Sequence, residues 1–460
     1  MNLRPYQLDA EIECRKQLMT WQRVILCSPT GSGKTVTFCS IAKQAVERGK
    51  RVMILCDRKE LITQAANKAK SYGLFPTIIA PGFRQSQSPC YVASVDTLVR
   101  REAPAIDLLI VDEAHKRKFD KVLTDIYPNV RTIGATATPI RPAKHSLHTL
   151  YGAIVEPTTI SKLVAEGYLV EARTYGVKQD YSHIKQSYNA ETGEYDYDSN
   201  ALFNEFNKSV LYAGVVEQYI KFAFGTQCIV FNINVQHSKR MAEEFNAKGI
   251  QCYHVDGNTP DIERKRIFAD FEAKKFQVLC NCGIATTGYD NPSIVTIIVN
   301  RATSSLALWL QMCGRGSRPY EGKSVFNIID MGGNVYKHGF WQQERVYQLY
   351  TEKKRQTESF TPVKNCEQCD ALVLSSLRVC NWCGYQFPKK ERELVEAEFT
   401  ELNGSIISKD KFVSKPSAQL WRLSDEELIK YGEQMGYKPG WANRRIQIRQ
   451  AEREKKQTQI

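Results

Sequence analysis

The chain has 460 residues, 42% of them hydrophobic and 25% charged, with a formal net charge of +13. That length exceeds one ordinary core and predicts two large domains plus a small one. No apolar run reaches the length of a membrane span, and the charged start MNLRPYQLDAEIECRKQ lacks the apolar core of a secretion signal, so a cytoplasmic protein with no membrane partner is expected. The basic balance fits a polyanionic partner such as nucleic acid, or simply a basic enzyme.

Short apolar runs alternate with helical patterns through most of the chain. RVILC (23–27), RVMILCD (51–57), IDLLIVDEAH (106–115) and RTIGATATP (131–139) make a first series. QCIVFN (227–232), IQCYHVDG (250–257), FQVLCNC (276–282), VTIIVN (295–300) and SVFNIID (324–330) make a second. Runs this short and apolar, separated by helices, predict buried parallel strands, hence an α/β protein with two doubly wound domains. Thr259-Pro260 reads as an N-cap followed by proline at the first helical position, and Gly249 sits where a helix should stop. The expected boundaries are 1–165 and 211–350 for the large domains. A polar, aromatic connector or accessory element covers 166–210, a cysteine module 351–390, and a basic helical tail 391–460.

Three local patterns carry chemistry. SPTGSGKT (28–35) lies between a short strand and a helix, the context of a phosphate-binding loop. The loop Ser28, Pro29, Thr30, Gly31, Ser32 and Gly33 would cradle phosphates with its backbone N–H groups, Pro29 alone having none to give, Lys34 would reach the β and γ oxygens, and Thr35 would hold Mg²⁺. Ser28 stands where the strict pattern has glycine. LLIVDEAH (108–115) ends a buried strand in two adjacent carboxylates, at the sheet edge where such folds bind ligands. Asp112 is the expected Mg²⁺ partner, directly or through water, and Glu113 the group that positions and deprotonates the attacking water. LQMCGRGSRP (310–319) sets Arg315 and Arg318 three positions apart, a spacing that shares a helix face, and guanidinium groups match phosphate bidentately.

Taken together these motifs resemble the superfamily 2 helicases and translocases over residues 1–350. LRPYQ (3–7) resembles the adenine-reading motif and implies a base contact for Gln7. SPTGSGKT is similar to motif I, DEAH to motif II, and GATATP (134–139) to motif III, whose Thr136 and Thr138 would link hydrolysis to domain movement. VLCNCGIATTGYDNP (278–292) looks like motif V and places Gly288 and Asp290 near the nucleotide. QMCGRGSRP looks like motif VI, which implies coupling for Gln311 and γ-phosphate contacts for Arg315 and Arg318 across a cleft. The implied fold is two tandem RecA-like domains, and the implied activity is ATP- and Mg²⁺-dependent DNA translocation or unwinding. GNTPDIER (257–264), TTGYDNPSI (286–294) and GRGSRPYEGK (314–323) are most similar to the RadD-like members, in the branch that holds UvsW, XPB and type I restriction motors. The resemblance implies branched or partly duplex DNA in recombination, repair or replication. It makes Arg58, Ser94, Thr97, Asn232 and Thr286 the strand contacts. An RNA helicase, a scaffold with a vestigial ATPase, and a restriction motor are the alternatives.

Of fourteen cysteines, four are clustered as Cys366-x₂-Cys369-x₁₀-Cys380-x₂-Cys383. Two such pairs suit one tetrahedral Zn²⁺ in a small ribbon, with the apolar ALVLSSLRV between them forming a hairpin. Iron in the same cage and two disulfides are the other readings. Beyond it, Ser424-x-x-Glu427 is a capping box, and 436–456 carries seven Lys/Arg against two Glu beside Tyr437 and Trp441. That segment suits either stacking and phosphate contacts or a solvated, protein-docking arm. A monomer is expected, with a protein partner on the ribbon or the tail.

Overall fold

The structure is a computed structural model that describes residues 3–189, 194–285, 289–350 and 362–388, and most of 420–457. It divides into two compact units, 1–388 and 389–460.

Within the first unit the two apolar series build two parallel sheets. The first lobe has strands β1 (Arg23–Cys27), β2 (Val52–Cys56), β3 (Thr77–Ile79), β4 (Cys90–Ser94), β5 (Leu108–Asp112), β6 (Arg131–Thr136) and β7 (Ala153–Val155). Their spatial order is β3-β4-β2-β5-β6-β1-β7. Alternation sends Val24 and Leu26 into one core and Ile25 and Cys27 into the other, so both faces of the sheet are covered and the strands read as unbroken apolar runs. The order also sets the carboxyl ends of β1, β6 and β5 side by side, which gathers three motifs at one sheet edge.

The second lobe repeats the plan. Its sheet runs β12-β13-β11-β14-β15-β8, formed by β8 (Glu171–Gly176), β11 (Cys228–Asn232), β12 (Cys252–Val255), β13 (Val278–Asn281), β14 (Thr296–Asn300) and β15 (Val325–Asp330). Ile229, Phe231, Ile297 and Val299 face one core; Cys228, Val230 and Ile298 face the other.

Some expectations are revised. The stretch 166–210 is not wholly accessory, because β8 is the edge strand of the second sheet, paired in parallel with β15. What remains is an antiparallel hairpin of β9 (Gln186–Asn189) and β10 (Glu194–Tyr197), followed by the helix Ser199–Phe206. The helix after β12, Asp261–Glu272, starts one residue later than expected: Pro260 occupies the N-cap, while the Thr259 hydroxyl turns back to Asp256. Gly249 does end its helix, with φ of 74°. The cysteine module has a different connectivity from the single hairpin expected of ALVLSSLRV. Its strands β16 (Val363–Asn365) and β17 (Leu372–Leu374) pair across the first Cys pair, and a bridge from Val379 to Gln386 closes a second turn around the other pair. Leu372 joins the main core of the second lobe, and Lys221 pairs with Asp370 at 2.6 Å, so the module is seated on that lobe.

In the second unit, the capping box forms at helix Asp425–Gln434: Ser424 Oγ accepts from Glu427 N, and Glu427 accepts from Ser424 N at 2.7 Å. Leu428, Tyr431 and Trp441 pack this helix against Trp441–Gln457. Segments 351–361 and 391–419 of the expected ribbon and tail lie outside the described residues.

Close approach of backbone fixes one glycine. A Cβ on Gly332, just after β15, would stand 2.1 Å from the carbonyl oxygen of Arg301 at the end of β14. Gly332→Ala should therefore cost about 2–3 kcal/mol and lower the unfolding midpoint by several degrees. Gly214→Ala, on an open helical face, should leave the midpoint unchanged or slightly higher in the same calorimetric scan.

Candidate functional site in the cleft between the lobes

The helix Lys34–Glu47 follows β1 through a loop whose glycines make the turn possible. Gly31 and Gly33 hold φ of 87° and 83°, a left-handed conformation open to glycine at little cost. Position 28 does not need that freedom. Ser28 Oγ sits 2.7 Å from Ser32 Oγ, and Ser32 donates to the Pro29 carbonyl, which gives a physical reason for serine there. Tyr6 and Gln7, from the first helix Pro5–Thr20, both donate to the Ser32 carbonyl, at 2.6 and 3.1 Å. The Gln7 amide oxygen accepts from Arg4 N. Gln7 is thus buried against the loop.

At the end of β5, Glu113 adopts a positive φ of 54°, and its backbone N–H bonds to Asp112 Oδ1. Both carboxylates are buried. Burial, and then the Glu113 charge, push the Asp112 carboxyl up to about 7. Burial also works to raise Glu113, but Lys34, His115 and Lys116 outweigh it and hold that group below the usual range. His115 is itself pushed down to about 4 by burial, so its imidazole is neutral at pH 7. It lies 3.4 Å from Glu113 Oε2 and 2.8 Å from the Thr136 hydroxyl, joining β5 to β6. Thr136 Oγ1 accepts from Thr138 N. The loop is braced by Arg141, which donates to the carbonyls of Ala114, His115 and Lys116 and pairs with Asp120. Sequence reasoning passed over Arg141; one arginine after a proline-bounded strand carries no pattern that would single it out.

The second lobe closes on this edge. Helix Leu306–Cys313 follows β14, and Gly314 ends it, so Arg315 and Arg318 lie in the turn beyond the helix rather than on its face. A Cβ on Gly314 would stand 2.8 Å from the Thr30 methyl group. Glycine is what permits this approach to the phosphate loop. Arg315 donates to the Tyr289 carbonyl at 2.7 Å, and Arg318 pairs with Asp290. A cavity of about 660 Å³ results, lined by Lys34, Thr35, Asp112 and Glu113 from one lobe and by Asp290, Gln311, Arg315 and Arg318 from the other. Gln64 and Lys68, from the helix after β2, line it too and were not picked out from sequence.

The residues read as strand contacts are spread out. Arg58 donates to the Gly283 carbonyl across the lobes at 3.2 Å. Ser94 and Thr97, at and after the end of β4, are buried. Asn232 is buried as well, donating to Val230 O and accepting from Asn300 Nδ2. Thr286 and Gly288 lie outside the described residues.

At the cysteine module, Cys366 Sγ is 3.6 Å from Cys383 Sγ, and Cys369 Sγ is 3.8 Å from Cys380 Sγ. All four sulfurs lie within 4.8 Å of one another. A tetrahedral ion with Zn–S bonds of about 2.3 Å needs sulfurs about 3.8 Å apart, so the four fit one zinc. Trp382 N points at Cys380 Sγ; against burial, the Trp382 and Cys383 amides and the neighbouring Cys366 and Cys383 thiols pull that thiol down to about 7, while burial pushes Cys369 up to about 12. The purified chain should carry one zinc per molecule. Cys380→Ser should release it and expose the two turns to protease, read by metal content and limited digestion.

Two family regions match in order: residues 1–141 match the family described as type III restriction enzyme, res subunit, and 212–319 the helicase conserved C-terminal domain. A 51.5 kDa protein of a Lactococcus phage is 31% identical over 404 residues, 84% of this chain and 85% of its own length. IRC3 of Saccharomyces cerevisiae, described as an ATP-dependent helicase, is 29% identical over 72% of this chain, which spans about half (51%) of it. Among solved structures, a fragment of an HsdR subunit of a type I restriction enzyme from Vibrio vulnificus shares the fold, with a TM-score of 0.57 at 19% identity over 73% of this chain and 66% of that one. No helix among the described residues is long and apolar enough to cross a membrane. By its two ordered family regions and its phage relative, the chain belongs to the superfamily 2 helicases of restriction-motor type.

Proposed function

We propose that the chain is an ATP-driven DNA motor that hydrolyses ATP between its two lobes and uses the cycle to move along or remodel branched or partly duplex DNA, in recombination, repair or replication. The observation that carries this reading is the single cavity that Lys34, Asp112 and Glu113 share with Gln311, Arg315 and Arg318. In this proposal the loop amides and Lys34 hold the ATP phosphates, with Thr35 and Asp112 as partners of Mg²⁺, which supplies charge neutralisation when bound. Glu113, kept ionised, takes the proton of the attacking water. Arg315 and Arg318 stabilise the charge that spreads over the transferred phosphoryl group. Loss of that group after hydrolysis removes what drew the two arginines across, and the lobes separate. The chain from Glu113 through His115 to Thr136 ties the water site to the motif III strand.

ATP turnover measured without nucleic acid, and with single-stranded DNA, blunt duplex, a fork and RNA, tests the reading. Strong stimulation by a DNA form, and not by RNA, is expected; no stimulation by any of them would sink it. The match of residues 1–141 to the type III restriction enzyme, res subunit, family favours one second reading, a motor serving a nuclease on a partner, which predicts that long blunt duplex outperforms forks. Glu113→Gln should slow turnover by about 10²–10⁴-fold while ATP still binds, read by single-turnover assay and nucleotide titration.

Asp112 also predicts a trade between stability and activity. Its carboxyl is near 4 when unfolded and about 7 when folded, so its contribution to folding declines as pH rises through that window. Asp112→Asn should flatten the stability profile between pH 4 and 7 and raise the unfolding temperature of the nucleotide-free chain, while turnover is lost. Thermal scans across that range check both signs.

A further inference from the structure

A second cavity, of about 320 Å³, shares Gln311 with the first. Arg58 and Lys116 from the first lobe and Arg301 from the second line it. Arg301 follows β14 directly. Into this basic cavity the β9–β10 hairpin inserts two carboxylates, Glu194 and Asp196.

The seat of Asp196 is made of three kinds of donor. Its carboxylate accepts from Arg301 Nη2 at 2.9 Å, from the Thr303 hydroxyl at 2.9 Å and from the Ser304 backbone N–H at 2.8 Å. Guanidinium, hydroxyl and amide together are the set that holds a backbone phosphate in protein–DNA contacts. Glu194 accepts from the Ser305 hydroxyl, which also caps the helix that runs to Gln311 and Gly314. On the other side, Tyr188 of the same hairpin accepts from Arg117 Nη1 at 2.8 Å, and its ring lies 6.1 Å from that of His145. The hairpin therefore spans the cleft and is fastened to both lobes. Its sequence is acidic in a basic chain: residues 186–198 hold Glu191, Glu194, Asp196 and Asp198 and no Lys or Arg.

We propose that the β9–β10 hairpin is an acidic clasp, which closes the lobes in the absence of nucleic acid and gives up the Arg301–Thr303–Ser304 seat to a phosphate of the incoming strand. This rests on the motor reading above, which puts the strand on the same surface through Arg58. Leaving the seat frees Arg301 for the strand and releases Ser305 at the start of the helix that ends beside Arg315. Strand entry is thereby linked to the position of the arginines at the ATP site.

Two variants give opposite signs if the clasp competes with DNA. Asp196→Asn combined with Glu194→Gln weakens the clasp and should tighten binding of a labelled fork oligonucleotide about tenfold in fluorescence anisotropy. Arg301→Gln removes the seat itself and should weaken binding about tenfold. If the contact is only a structural brace, both variants lose binding together, and the clasp is overturned. It is overturned equally if the double variant binds no tighter than wild type. A wild-type chain whose turnover responds to no nucleic acid would sink the motor reading and the clasp with it. A wild-type chain that responds, with variants of like sign, sinks the clasp alone.

Discussion

Two carboxylates buried side by side at the end of one strand are the constraint around which the rest of the molecule is arranged. Asp112 and Glu113 cannot both ionise at low cost away from water unless cations stand close. The first lobe supplies Lys34 and Lys116, and the latter is itself tied to Asp57 at 2.6 Å. Further positive charge comes from outside that lobe, because Arg315 arrives on the turn after a second-lobe helix. A parallel sheet puts all its carboxyl ends along one edge, so the acidic strand, the phosphate loop and the motif III strand are neighbours by topology. Facing two such edges across a cleft makes the ATP-sized cavity incomplete in either lobe alone.

That dependence explains where glycine and small residues fall. Gly314 lets the second lobe approach Thr30 closely, and a Cβ on Gly31 would stand 3.0 Å from Leu169. Gly33 would meet Gln7 if it carried a side chain. The phosphate loop is thus pressed on both sides; side chains at Gly31 or Gly314 would push the lobes apart, and one at Gly33 would displace Gln7. Asp196 in its seat is a polar counterpart to these contacts, a charge pairing where the glycines allow backbone contact.

Much of this was legible in the sequence because it is local. A strand buried on both faces has to be apolar throughout, so the two series of strands declared themselves. The phosphate loop did so as strand, glycine turn and helix. The pairings between distant segments were less legible. Nothing in EARTYG marks β8 as an edge strand of the second sheet rather than a connector, since it lacks the unbroken apolar run of the other strands. The spacing of Arg315 and Arg318 suggested a shared helix face, but Gly314 ends the helix before them. The resemblance implied a strand contact for Asn232, and its local partners, Val230 and Asn300, were not legible from the sequence. Asp196 and Arg301 are 105 residues apart, and no periodicity records their meeting. The cysteine spacing pointed to one shared site; which segments pair around each turn is set by short backbone pairings that the spacing does not encode.

The central claim is that hydrolysis needs a guanidinium carried by one lobe to a phosphate held by the other. Single-turnover hydrolysis of prebound ATP by Arg315→Ala, beside wild type and with the best activating DNA present, tests it most directly. The account predicts a chemical step slowed by about 10³-fold or more with ATP affinity largely kept. A variant that hydrolyses bound ATP at the wild-type rate would contradict it, and would leave the second lobe without a part in the chemistry.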